Sequence, residues 1–245
     1  MTPLSDSEGR WEPSATVAAL LYRNFDGLPA DPGDVISEGL DGGYQERSEE
    51  LRKVLRDPGE DPTGRFLSCV ALTRWADDAG YEAVTQAARS PESVPWRGAS
   101  YDRLHGQDDT FGLLAEAVGN SEDMIDERGT RTERTQAARA LLAIADRVQF
   151  DRHIGALLRP DLVVAGLPEI QSTVDRGITR LAKEQLPYDL GLQLALMTAA
   201  VHRREAAWAL ATARRLIAVK PGERTVRELR ETIPELQETY TCGQT

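Results

Sequence analysis

The segment His105-x-x-Asp108-Asp109 places an imidazole and two carboxylates within five positions, a set that could share one divalent cation. On that reading the chain is a helical-bundle, metal-dependent hydrolase or nucleic-acid enzyme. His153 and His202 lie far along the chain, so ligand number and spacing fall short of a recognisable metal pattern. The same residues also describe a solvated loop with Asp109 capping the next helix. A second acidic pair, Asp77-Asp78 in ALTRWADDAGYEAV, offers either two carboxylates for acid–base work or a corner between helices. The sequence contains no G-x-S-x-G, no P-loop and no G-x-G-x-x-G. Cys69 sits in an apolar segment as a small core residue, and Cys242 in TYTCGQT is a free thiol. No catalytic residue and no cofactor are assigned.

Residues suited to binding are easier to find. Trp96 and Arg97 lie in the Pro/Gly-bounded Ser93-Val94-Pro95-Trp96-Arg97-Gly98, and exposed Trp and Arg are favoured at binding hot spots. The alternative is a Trp96 folded back to seal a helix pair. Glu122, Asp123 and Asp126, with Glu127, Arg128, Arg131 and Arg134, form a mixed-sign stretch before a helix at Thr135. It reads as a binding loop or as an exposed, mobile one. Asp108 and Asp109 join the partner-binding candidates.

Charge gives these residues a direction. The net charge is -11, and residues 1–122 hold 23 acids against 11 bases, whereas residues 123–245 hold 17 against 18. The excess negative charge thus lies in the first half, where it repels phosphate backbones and favours a basic protein. Acidic surfaces also simply keep proteins soluble. Arg203-Arg204 and Arg214-Arg215 make a basic spot, but a half with a net of +1 lacks the broad basic face that duplex binding needs. Only three of the 29 basic residues are lysines, a bias of GC-rich, actinobacterial-type coding.

The elements that must position these residues are helical. With 40% hydrophobic and 28% charged residues, the chain has the balance of a globular protein. A helix capped by Ser14 carries Val17, Leu20, Leu21 and Phe25, before Pro29, Pro32 and Gly33 break it. Further helices are expected over Tyr44 to Arg56 and Arg65 to Ala76. Apolar stripes follow at Ala137/Leu141/Ile144/Val148, Ile170/Val174/Ile178/Leu181, Leu190/Leu194/Met197/Val201 and Ala206/Leu210/Ala213/Ile217. A short helix over Arg224 to Thr232 ends the series. Leu162-Val163-Val164 is the one β-like run, and Pro160-Asp161 before it suits a helix start equally well. The fold class is all-α with short connections, which favour antiparallel neighbours. Residues 1–61 form an N-terminal helical segment with Pro/Gly-rich linkers, continuous with one domain over 62–245. No apolar run spans a bilayer and no secretory signal opens the chain, so a cytoplasmic location without membrane contact is expected.

A repeat ties the second acidic pair to this architecture. Ala71 to Glu82 and Ala140 to Asp151 share A-L-x-x-Φ-A-D-x-x-x-aromatic-acid at an offset of 69. Asp108-Asp109-Thr110-Phe111 makes another acid-then-aromatic corner, and the aromatics at 81, 111 and 150 are 30 and 39 residues apart. Helix pairs at this period mark α-solenoids. The pattern resembles degenerate HEAT-like repeats over residues 62–160 and more loosely over 168–232. Residues 206–230 also suit a tetratricopeptide-like pair, and an irregular helical bundle is the rival architecture. Asp77 then reads as a corner residue that recurs as Asp146, with Asp78 an unpaired surface acid. The functional expectation is a non-catalytic module that binds a basic protein, similar to immunity or antitoxin-like proteins. A regulatory or assembly scaffold is a further alternative.

Overall fold

The computed structural model describes residues 11–102 and 107–238, whose regular elements are helices apart from a two-residue antiparallel pair, β1 (Tyr101–Asp102) with β2 (Gln107–Asp108). Asx and Ser caps set most early helix starts. Ser14 Oγ accepts the Val17 N–H to open α1 (Ala15–Leu21) and donates to Glu60. This helix stops at Leu21, short of the expected Phe25, because Asn24 closes a tight turn by accepting the Leu28 N–H at 2.8 Å. Pro32, expected to break the helix, instead opens α2 (Pro32–Glu38). Asp31 accepts the Gly33 N–H, and a proline at the first helical position forfeits no hydrogen bond. A π-turn over Gly39–Gly43, with Gly42 at φ 112, leads into α3 (Tyr44–Arg56), which matches its expected bounds.

Asp61 caps α4 (Pro62–Arg74) and Asp77 caps α5 (Asp78–Arg89). Then follow α6 (Thr110–Asn120), the single turn α7 (Ile125–Arg128) and α8 (Arg131–Leu142). The stripe through Val148 predicted a longer α8. The chain instead turns after Leu142 while Ile144, Ala145 and Val148 remain buried, and a 3-10 helix runs over Asp151–Leu157. The β-like run lies in α9 (Pro160–Ala165), followed by α10 (Leu167–Leu181), α11 (Leu190–His202), α12 (Ala206–Ala218), α13 (Glu223–Thr232) and α14 (Glu235–Glu238). On α12 the buried face is Ala209, Thr212, Ala213 and Leu216, rotated from the expected stripe. Alanines on several faces made that stripe ambiguous.

Helix α4 packs between α3 and α5, and α5 packs on α8. Helix α6 touches α4, α8 and the 3-10 helix, which in turn leans on α11; α11 also packs against α10, α12 and α13. One buried apolar cluster extends from Val17 to Leu236. The α4–α5 approach is close enough to require a glycine: a Cβ on Gly80 would lie 2.4 Å from the Thr73 backbone nitrogen. Backbone cannot swing aside as a side chain can, so Gly80→Ala is expected to destabilise the protein by about 2–3 kcal/mol. Urea unfolding measures this; an unchanged midpoint would contradict the close approach.

Candidate functional site

The two repeated aspartates are both buried, and arginines clamp each of them. Ala76, at φ 53, turns the chain out of α4 and aims the Asp77 carboxylate inward. Asp77 Oδ1 accepts the Ala79 N–H at 3.1 Å, capping α5. Arg52 binds the carboxylate in a fork, Nε to Oδ1 at 3.0 Å and Nη2 to Oδ2 at 2.7 Å. Arg128 adds Nη2 to Oδ2 at 2.6 Å and lies over the Tyr44 ring, whose hydroxyl reaches Glu127. The hydrogen bonds to Asp77 raise Arg52 above its usual range. Every Asp77 oxygen is therefore committed, and the residue is fully shielded from solvent.

Asp78 is not the free surface acid expected. Its Oδ1 accepts the Ala79 N–H at 2.8 Å and lies 3.6 Å from Arg52 Nη2, while its side chain stays 71% exposed. Partial burial works against its ionisation, but the Ala79 N–H and the nearby Arg52 and Arg128 guanidiniums prevail and hold its carboxyl below the usual range.

The second copy keeps the clamp and loses the cap. Arg176 forks onto Asp146, with 2.7 and 3.1 Å contacts, and also donates to the Ala143 carbonyl. The turn that follows is held by Gln193, which is fully buried. Its Oε1 accepts the N–H groups of Phe150 and Asp151 at 2.5 and 2.8 Å. Its Nε2 donates to the carbonyls of Ala145 and Val148 at 2.8 and 3.2 Å. One side chain thus supplies partners to four backbone groups of the turn that the backbone bonds running on to Val148 do not reach. No sequence motif announced Gln193; its only signal is a polar residue inside the apolar stretch Leu190 to Met197.

The mixed-sign stretch after α6 is helical and tied down rather than a mobile loop. Asp123 accepts a fork from Arg74 at 2.7 and 3.0 Å, and these hydrogen bonds hold its carboxyl below the usual range. Glu122 pairs with Arg159, and Asp126 with Arg131 at 2.5 Å. Arg134, almost wholly buried, donates to the Val118 and Gly119 carbonyls and to Asp161. The helix expected at Thr135 begins at Arg131.

Trp96 is 4% exposed and packs on Phe66 with ring centroids 5.6 Å apart, the sealing arrangement rather than the open one. Arg97 pairs with Glu92. Asp108, not Asp109, caps α6 through the Thr110 N–H at 3.1 Å, while the Asp109 N–H donates to Ser100. His105 and Cys242 lie outside the described residues. Among the described residues no three His, Cys, Asp or Glu side chains stand close enough to share a metal ion. Burial pushes the Cys69 thiol up to about 12, so it is a core thiol rather than a nucleophile.

What remains open is an acidic stretch that carries no recognisable motif. Residues 26–61 carry eleven acids and four bases. Arg47 is spent on the carbonyls of Leu20, Arg23 and Asn24 and on the Phe25 ring; Arg52 is spent on Asp77, and Lys53 on Glu50. Asp26, Asp34 and Asp41 are exposed and pair with no cation among the described residues, and Glu46 is exposed with Arg47 as its neighbouring charge. Leu28, 61% exposed, stands at the tip of the turn beside Asp26. No helix among the described residues is long and apolar enough to cross a membrane. No protein-family model, curated protein or solved structure gives a significant match to the chain.

Proposed function

We propose that this chain is a non-catalytic protein-binding module of HEAT-like helix pairs, whose acidic stretch from Asp26 to Glu46 docks a basic protein. The order of neighbours supports the repeat reading. Helices α3, α4 and α5 pack in sequence, α5 continues to α8, and α10, α11 and α12 repeat the arrangement. The binding reading is carried by one observation: the chain's inner acids are neutralised by arginines, whereas Asp26, Asp34 and Asp41 are left in solvent without an ion-pair partner among the described residues. Each such carboxylate contributes little to affinity alone, but together they accelerate encounter with a positive surface and impose salt dependence. Leu28 supplies an apolar contact at the edge of this field. By analogy of helical architecture and negative charge, the reading extends to an immunity or antitoxin-like partner of a basic effector. The same observation moves the docking surface away from Glu122, Asp123 and Asp126, whose charges are already paired within the molecule.

The tagged protein, incubated with native lysate, is expected to retain a partner of high isoelectric point at low salt. It should release that partner near 1 M salt, where the screening length is about 3 Å. Retention of acidic or neutral proteins alone, or capture indifferent to salt, would contradict the proposal.

A further inference from the structure

We propose that a groove of 410 Å³ between α3, α4, α5 and the 91–96 turn binds a small amphipathic carboxylate, independently of the acidic docking stretch. Its walls are apolar where Leu55, Ala83, Ala87, Val94 and Trp96 meet, and the indole packs against Phe66 with ring centroids 5.6 Å apart. Two guanidiniums stand on the wall made by the end of α3 and the start of α4. Arg65 is held there by its Nε–H, which donates to the Leu55 carbonyl at 3.1 Å, leaving its terminal nitrogens free. Arg56 is exposed and has no partner among the described residues.

That pair is unusual for its surroundings, because the loop from Asp57 to Asp61 beside it holds three acids that could have neutralised it. All three are engaged elsewhere: Asp57 accepts the Gly59 N–H, Glu60 the Ser14 hydroxyl, and Asp61 the Thr63 N–H. Two unpaired, forked donors at one end of an apolar groove are suited to a carboxylate, which arginine binds through paired charge-assisted hydrogen bonds. Glu82 lines the opposite, α5 side, so an anion is favoured only at the arginine end and the ligand's orientation is set. The volume lies at the lower end of the roughly 300–1,000 Å³ of ligand pockets, which suits a small molecule rather than a helix of a partner.

Calorimetric titration of the full chain with octanoate, and with octanol as the uncharged probe, tests the assignment. Octanoate is expected to bind saturably at one site, with octanol at least about tenfold weaker, the loss of one charge-assisted hydrogen bond. Arg56→Glu, at an exposed and unpartnered position, should weaken octanoate by a similar factor while leaving octanol unchanged. Ala83→Phe, placed to fill the groove, should abolish both. The absence of saturable octanoate binding, equal affinity for the two probes, or wild-type binding by Ala83→Phe would each overturn the proposal. Circular dichroism melts of both variants confirm that any loss is read on folded protein.

Discussion

Asp77→Asn is expected to lower the unfolding free energy by about 3 kcal/mol, at the low end of the 3–5 kcal/mol typical of breaking a buried ion pair. The substitution keeps the shape of the side chain and one oxygen for the Ala79 N–H, but it removes the charge facing two guanidiniums. The full penalty is moderated because Arg52 and Arg128 are 28% and 22% exposed and can regain water. For a chain of this size the thermal midpoint should fall by roughly 6–12 °C. Asp78→Asn, at a carboxylate 71% exposed, should change stability by no more than about 0.5 kcal/mol. Thermal unfolding of the two variants side by side decides the matter; equal, small shifts would remove the corner from the account.

Gln193→Leu is expected to cost as much or more, about 4 kcal/mol. Leucine matches the buried volume approximately but leaves two N–H and two C=O groups of the 145–151 turn without their partner. Each unsatisfied buried group costs about 1–3 kcal/mol, and local relaxation recovers part of the sum. Gln193→Asn, one methylene short, should be intermediate because it cannot reach both sides of the turn. Amide exchange gives a local reading: the Phe150 and Asp151 amides should lose protection in Gln193→Leu beyond the loss set by global stability. Unfolding free energy unchanged within about 1 kcal/mol would show that the turn does not depend on this side chain.

These two residues also mark how far the sequence could be read. Asp77 was legible because its pattern recurs at Asp146, and a repeated acid before an aromatic points to a corner. The arginines that clamp the two corners were not legible. Arg52 precedes its aspartate and Arg176 follows its own, so no common spacing exists. Helix α3 has sharp ends and its bounds were legible, while the stripes at 170–181 and 190–201 located α10 and α11 without fixing their ends; α11 is buried on nearly every face. Helix α2 was missed because Pro32-Gly33 reads as a break unless Asp31 is recognised as a cap.

The candidate site was legible in charge and not in place. Composition located the negative excess in the first half of the chain. It could not separate acids that serve internal arginines, such as Asp77 and Asp123, from those left in solvent, such as Asp34 and Asp41. That distinction depends on tertiary partners 25 to 51 residues away in the chain. Trp96 illustrates the same limit: Pro and Gly around it suggested exposure, and Phe66, thirty residues earlier, buries it.

The division between structural and available acids is tested most directly on one variant, Asp26→Asn/Asp34→Asn/Asp41→Asn, measured for both stability and partner binding. None of the three is ion-paired among the described residues, so the thermal midpoint should stay within about 2 °C of wild type. Affinity for the captured basic partner at low salt should fall at least about tenfold, with a shallower dependence on salt. Undiminished binding by this folded variant would contradict the account.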